Sequence, residues 1–356
     1  MESQNDVITS IRKGEDFNEE NFHAFMLKNF PDWPNQPIEV NQFSAGFSNW
    51  TYLIRCGSEE VVMRRPPGGP LPPKAHDMER ESSLLNKLHP VFPYVPKPYL
   101  FCDDESVIGV PFYVMERKNG IVFDTSIPAG IHLTEERGRQ ISYAFIDTLA
   151  ELHKLDYKEI GLESFGRPQG FLERQVHGWI KRYENSKTHE VPQFDKLAKW
   201  FTSNIPLSYG ESVIHNDYKM NNMMFSNQHL GKVEAIFDWE MSTIADPIFD
   251  LAISLSYWRE PGDSEKLKTS LPSVTSQPGF LSRNDLIERY ALKSGRDIPA
   301  LHFYLAFAYF KTAVVMQQIY YRWVKGSATD PRFSSLNQSI DSLMEYSYEI
   351  INTKTI

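Results

Sequence analysis

The hydrophobic pattern of this chain changes period near residue 118, and that change limits the fold more than any other feature. Before it, "TYLIRC" and "VVMR" are short β-branched and aromatic runs separated by "GSEE", and "PFYVMER" is a further run of the same kind. Such runs form strands whose successive side chains point to opposite faces of a sheet. One helix lies among them, because Met78, Glu81, Leu85 and Leu88 in "AHDMERESSLLNKL" recur at helical spacing. A second helical segment is expected near Asn18 to Asn29. After residue 118 the helical period dominates. Ile141, Phe145, Leu149 and Leu152 make one stripe, with Thr134 as N-cap and Glu135 and Glu136 in the first turn. Long helices are expected over Phe303 to Trp323 and Leu336 to Ile351. The prediction is an α+β chain of two lobes. Residues 1–117 form a small antiparallel sheet with helix, and residues 118–356 form a larger, mostly helical lobe. A length of 356 residues also exceeds what one compact core usually organises.

Composition removes several function classes. Hydrophobic residues are 41% and aromatics 13%, enough apolar surface to offset the chain entropy of folding. A net charge of −9 opposes the extended basic face that nucleic acid requires, so no nucleic-acid partner is expected. Cys56 and Cys102 are the only cysteines, too few for a disulfide scaffold or a thiolate zinc cluster. "MESQNDVITS" lacks the basic start and apolar run of a signal peptide. The most apolar stretch, "FYLAFAYFKTAVVM", carries Lys311 and falls short of the roughly 18 to 20 apolar residues of a membrane span. It reads as a core helix, and the chain as cytoplasmic with no membrane partner. "PPGGPLPP", Pro66 to Pro73, reads as a connecting loop.

The helical region is interrupted by "SVIH", "MMF" and "VEAIFDW", short strands joined by loops that carry His215, Asp217, Asn222 and Asp238. Asn222 lies five residues after Asp217, so a loop from one strand to the next aims both side chains into one cleft. A carboxylate there accepts the proton of a substrate hydroxyl while the amide oxygen holds a hard cation. Asp238 ends an apolar strand and presents a second acid at its rim. Singly these would be loop-capping residues. In this order they read as the proton acceptor, Asp217, and two Mg²⁺ ligands, Asn222 and Asp238, of a phosphoryl-transfer centre.

"HNDYKMNN" followed by "IFDWEMSTIADPIFDLA" resembles the Brenner-type motifs of the aminoglycoside phosphotransferase family, which has a protein-kinase-like fold, and the resemblance runs from about Phe43 to Trp323. It implies ATP and Mg²⁺ as cofactors, Asp217 as catalytic base, and Asn222 and Asp238 as metal ligands. It also implies that His215, Asp246 and Asp250 brace the catalytic loop. "FSAGFSNWTYLI" resembles the family's nucleotide loop, with Gly46 at the turn and Ser44, Ser48 and Asn49 as donors to phosphate. In "VVMR" alternation puts Val62 and Arg64 on one face, Val62 for adenine and Arg64 for the phosphates. The kinase-like pattern usually has lysine there; arginine keeps the charge and brings a planar head with two parallel donors. The carboxylate that positions this cation is Glu79 or Glu81, and the family's E-x-E pattern favours Glu81. In "FYVMERKNG" main-chain groups of Glu116 and Lys118 would meet the adenine edge.

The phosphate acceptor is less legible. The family spans aminoglycosides, choline, sugars and amino acids, and fold does not fix function. Tyr321 and Arg322 in "YYRWVKG" are an aromatic and a cation suited to an anionic or acyl-bearing ligand. "GFSNWTYLI", "MRRPPGGPLPPKAHDMERE" and the "FYLAFAYFK" helix also resemble the kinase-like domains fused to some acyl-CoA dehydrogenases. This implies a small hydroxylated substrate of the hydroxyacyl-CoA kind, with aminoglycoside, choline or sugar as the alternative. Two readings from other classes compete. A nucleotide-binding pseudokinase would explain Arg64 and the one-glycine loop, but the complete Asp217, Asn222 and Asp238 set opposes it. A metal-dependent hydrolase on His215, Asp217, Asp238 and Asp246 lacks a second histidine at suitable spacing; His153 continues the helix stripe and reads as structural.

Overall fold

A computed structural model describes residues 8–44, 49–69, 76–328 and 330–355. Gly46 and Ser48, expected in the nucleotide loop, and residues 70–75 of the proline-rich run lie outside the described residues. The chain forms two compact units. The first holds Met1–Val122 and Asn222–Glu240, the second Phe123–Asn221 and Met241–Ile356.

The first unit is built on an antiparallel sheet of β1 (Ile8–Thr9), β2 (Ile38–Phe43), β3 (Trp50–Cys56), β4 (Glu59–Arg65), β5 (Pro98–Cys102) and β6 (Phe112–Glu116), in the order β1-β2-β3-β4-β6-β5. Helix α1 (Glu19–Asn29) starts on an N-cap, Asn18, whose side chain accepts the Asn21 N–H at 2.9 Å. Its Phe22 and Met26 pack with Tyr52, Ile54, Val61, Met63 and Phe112 in one core. Val62 and Arg64, offset by one residue from Val61 and Met63, face the other way, where α2 (Met78–Leu88) packs on β5 and β6. Met78, Glu81, Leu85 and Leu88 are all buried, as the helical spacing requires.

The β3–β4 hairpin is tighter than "GSEE" implies. β4 begins at Glu59, leaving Gly57 and Ser58 as a two-residue turn with Gly57 at φ +58°. The two glutamates join the strand because Glu60 faces Arg55 across the ladder and accepts from its Nε at 2.7 Å and from Arg117 at 2.8 Å. After the short helix α3 (Glu105–Ile108), β7 (Ile121–Val122) pairs with β9 (Met223–Phe225), and β9 with β10 (Val233–Ile236), all antiparallel. Gly120 permits this approach, because a Cβ there would sit 2.4 Å from the Phe225 carbonyl oxygen.

The second unit is helical: α4 (Glu135–Leu152), α5 (Phe171–Ser186), α6 (Phe194–Ser203), α7 (Pro247–Tyr257), α8 (Glu265–Ser270), α9 (Arg283–Ser294), α10 (Leu301–Val324) and α11 (Leu336–Thr353). Its small sheet pairs β8 (Ser212–Ile214) with β11 (Thr243–Ala245). Thr134 caps α4 as expected, accepting the Arg137 N–H. Helix α7 is buried from Pro247 to Ser256. Helix α10 packs on α5, α7 and α11, and is buried from Phe303 to Val314; its last turns are more exposed. Among the described residues no helix is long and apolar enough to cross a membrane.

Candidate active site

In the first unit Arg64 meets two of the expected site residues, Glu81 and Asp238. It is 9% exposed at the end of β4. Its Nε lies 3.2 Å from Glu81 Oε2, its Nη2 2.5 Å from Asp238 Oδ1, and Nη2 3.9 Å from Glu240 Oε2. The Glu81 contact is coulombic, since Arg64 Nε and Glu81 Oε2 are not aligned for a hydrogen bond. Glu81, 2% exposed, is instead held through Oε1 by the Trp239 N–H at 3.2 Å and by the Tyr113 hydroxyl. Burial opposes the charge on both partners. For Arg64 the surrounding Glu81, Tyr113, Asp238 and Glu240 outweigh it and raise its pKa. For Glu81 burial wins over Arg64, and with the Asp238 charge it raises the carboxyl's pKa.

Asp238 has φ +65°, a left-handed conformation that aspartate tolerates and that re-aims the chain directly after β10. Its side chain is 28% exposed. The Phe237 N–H donates to the Asn222 carbonyl at 2.8 Å, which sets Asn222 beside the residue that precedes Asp238. Among the described residues no three His, Cys, Asp or Glu side chains converge on one metal position. One carboxylate and one amide suit Mg²⁺, which takes few protein ligands and completes its shell with water and phosphate oxygens. Asn49 is tied into the same cluster, donating to Glu240 Oε2 at 2.7 Å and contacting His76 Nδ1 at 2.8 Å through Oδ1. Val62 is buried between Leu53 and Met115. Glu116 donates its N–H to Lys97 O, and its carboxylate accepts from Lys97 N at 3.1 Å and Lys118 Nζ at 3.0 Å.

In the second unit the loop after β8 is fixed by Asp250 of α7. This carboxylate is fully buried and accepts the N–H groups of His215 and Asn216, each at 2.7 Å. His153 Nε2 stands 3.2 Å from it, with His153 Nδ1 2.7 Å from the Tyr290 hydroxyl. Burial alone would raise the Asp250 pKa; the His153 hydrogen bond and the two neighbouring histidines overcome it and hold the carboxyl below its usual range. His215 is buried, and its Nδ1 accepts the Asp217 N–H at 3.3 Å. Asp217 itself is 23% exposed, with Lys219 Nζ at 2.9 Å from Oδ2.

Asn216 sits at φ +67°, and Lys311 Nζ reaches its carbonyl at 3.2 Å and its Oδ1 at 2.7 Å. Burial pushes the Lys311 amine down to about 8, against the pull of Asp217 and Asp250. Asp246 has a different set of partners. It caps α7 through the Ile248 N–H and accepts from the Tyr209 N–H and the Tyr304 hydroxyl, each at 2.9 Å. Tyr321 and Arg322 lie ten and eleven residues beyond Lys311, about 15 Å or more along the helix at 1.5 Å per residue, and Lys325 Nζ stands 5.5 Å from the Tyr321 ring.

Sequence reasoning named neither Glu240, Tyr113 and His76 nor Asn216, Lys219 and Lys311. Lys311 had a signal, a lone cation in an apolar helix, which served only to argue against a membrane span. Tyr113 pairs with Arg64 across β4 and β6, a register that cannot be read from separate strands.

Replacing Asp250 by asparagine is expected to cost about 3 kcal/mol of stability, because one buried N–H of the loop then faces a donor. The folded pKa of Asp250 lies below the unfolded value near 3.9, so its contribution is present above that value and lost as pH falls through the folded one. Urea unfolding should therefore give a constant gap between wild type and Asp250→Asn down to about pH 4 and a shrinking gap below. A gap independent of pH would mean that the carboxylate's charge is irrelevant.

Residues 39–271 match the phosphotransferase enzyme family. Acyl-CoA dehydrogenase family member 11 of Gallus gallus is 32% identical over 353 residues, covering 96% of this chain and 44% of the relative. Acyl-CoA dehydrogenase family member 10 of Mus musculus is 31% identical over 88% of this chain and 29% of the relative. The chain thus spans less than half the length of these relatives. A Ralstonia eutropha structure described as a "putative aminoglycoside phosphotransferase" superposes with a TM-score of 0.82 at 29% identity, covering 95% of this chain and 99% of that one. Choline kinase of Cryptosporidium parvum shares the fold, with a TM-score of 0.62 at 14% identity over 95% of this chain and 97% of that chain. The fold is kinase-like α+β. Since the family match runs from β2 through the Asp217 loop and α7 to the end of α8, this chain belongs to the phosphotransferase enzyme family.

Proposed function

We propose that this chain transfers the γ-phosphoryl group of ATP, with Mg²⁺, to a hydroxyl of a small molecule, and that the acceptor is of the hydroxyacyl-CoA kind. The observation that carries the reading is Arg64, buried and shared among Glu81, Asp238 and Glu240. One guanidinium against several carboxylates leaves an excess of negative charge at partly exposed Asp238, which favours a divalent cation there. Asn222 and Asp238 would hold the ion. When bound, Mg²⁺ supplies charge neutralisation on phosphate oxygens. Arg64 adds a fixed cation that Glu81 orients, and Val62 offers an apolar surface to adenine. Asp217 orients the acceptor hydroxyl and takes its proton at a carboxylate oxygen. Lys219 and the loop bonds to Asp250 hold Asp217 in place.

Two observations support the acceptor class. Lys219 Nζ pairs with Asp217 at 2.9 Å and Lys311 also acts on it, so two cations already compensate this carboxylate and leave it ill suited to a polycationic antibiotic. The relatives named acyl-CoA dehydrogenase family members favour an acyl-CoA-type ligand over choline or a sugar. The test is Mg²⁺-dependent ADP release from ATP with hydroxyacyl-CoAs, aminoglycosides, choline and simple sugars. Turnover is expected with the hydroxyacyl-CoAs; turnover confined to another class would replace the acceptor. ATP binding without turnover on any would favour a nucleotide-binding module.

A further inference from the structure

Lys311 is a cation placed where packing alone would choose methionine. It sits on α10, buried, with the Trp179 ring at 5.8 Å and the Phe249 ring at 5.5 Å. Burying an amine among such side chains is unfavourable unless its donors are used. Both of its hydrogen bonds go to one residue, Asn216, through the carbonyl and Oδ1. Asn216 in turn has each polar group engaged. Its N–H reaches Asp250 Oδ1 at 2.7 Å and its Nδ2 reaches the Met241 carbonyl at 3.1 Å. It holds a left-handed φ of +67°, which asparagine adopts when its surroundings fix it.

The peptide bond from Asn216 to Asp217 is therefore held at both ends, its carbonyl by Lys311 and its N–H by His215 Nδ1 at 3.3 Å. We infer that Lys311 is a positioning residue for phosphoryl transfer, clamping Asn216 from α10 and so fixing the backbone that carries Asp217. The inference rests on the phosphotransferase reading for its effect on rate, but the clamp itself is independent of that reading. A displacement of about 1 Å in a catalytic group lowers rate by about 10²-fold, which sets the expected scale.

The experiment compares wild type, Lys311→Met, Lys311→Arg and Asp217→Asn. It measures ADP release from MgATP with 3-hydroxybutyryl-CoA, together with residue-level amide exchange over Val213–Lys219, using β3 and β4 amides as the reference for general loosening. In Lys311→Met, kcat should fall about 10²-fold with KM for ATP within about twofold, and the Asn216 and Asp217 amides should exchange at least about tenfold faster with the reference unchanged. Lys311→Arg, which keeps a cation and donors, should fall between, and it supplies the comparison if Lys311→Met does not fold. Wild-type kcat in Lys311→Met, or unaltered exchange at Asn216 and Asp217, overturns the proposal. If wild type shows no turnover, or Asp217→Asn matches it, the phosphotransferase reading with this acceptor fails. The exchange arm then decides on the clamp by itself: acceleration upholds it and no change overturns it.

Discussion

Asp217→Ala should lower turnover by about 10²- to 10⁴-fold, the usual contribution of a placed general base, with MgATP affinity changed by less than about threefold. The residues expected to hold MgATP belong to the first unit and Asp217 to the second, so the substitution leaves the former intact. The loop should survive it, because Asp250 and Lys311 hold the backbone at His215 and Asn216 without using the Asp217 side chain. Asp217→Asn sharpens the test by keeping shape while removing the proton acceptor. Equal loss in both variants assigns the effect to the carboxylate. Near-wild-type turnover in either would remove Asp217 from the chemistry, and weakened ATP binding in parallel would reassign it to the nucleotide.

The second large effect concerns the buried charges around Arg64. Arg64→Met leaves Glu81 buried opposite Asp238 without its cation, and breaking a buried pair from one side costs about 3–5 kcal/mol. Thermal or denaturant unfolding should report that loss. Combining it with Glu81→Leu should recover most of the stability, because replacing both members of a buried pair with apolar groups is often neutral or better. Asp238 and Glu240 keep enough exposure to be hydrated in the double variant. Nucleotide affinity should not recover, since the cation is gone. A double variant as unstable as Arg64→Met would show that the loss comes from packing. Recovery of ATP binding along with stability would show that Arg64 has no part in holding phosphate.

Much of this was legible in the sequence because it rests on local rules. The Thr134 cap, the helix near Asn18 to Asn29, the buried face of α2 and the offset of Val62 and Arg64 from the core-facing Val61 and Met63 follow from local pattern alone. The Arg64 and Glu81 approach was anticipated by resemblance, since spacing left Glu79 open. What escaped the sequence depends on tertiary register. Nothing in the linear order says that Glu240 meets Arg64 and Asn49, or that Lys311 meets Asn216, 95 residues earlier. The hairpin turn was misjudged by two residues because two adjacent glutamates look like loop until Arg55 and Arg117 are seen beside Glu60. The different partners of Asp246 and Asp250, four residues apart on the first turn of α7, were equally invisible: one serves the Asp217 loop and the other Tyr209 and Tyr304.

The return of Asn222–Glu240 to the first unit has a consequence for how the protein is made. A ribosome delivers residues in order, so β1 to β7 emerge long before β9, the strand on which β7 pairs. At about 5–20 residues per second the interval between Val122 and Glu240 is roughly 6 to 24 seconds, and for most of it the first unit lacks β9, β10 and both proposed metal ligands. Throughout that time Arg64 and Glu81 exist without Asp238, Trp239 and Glu240. The buried charge cluster of the first unit is therefore completed only after Asp217 and its loop have been synthesised.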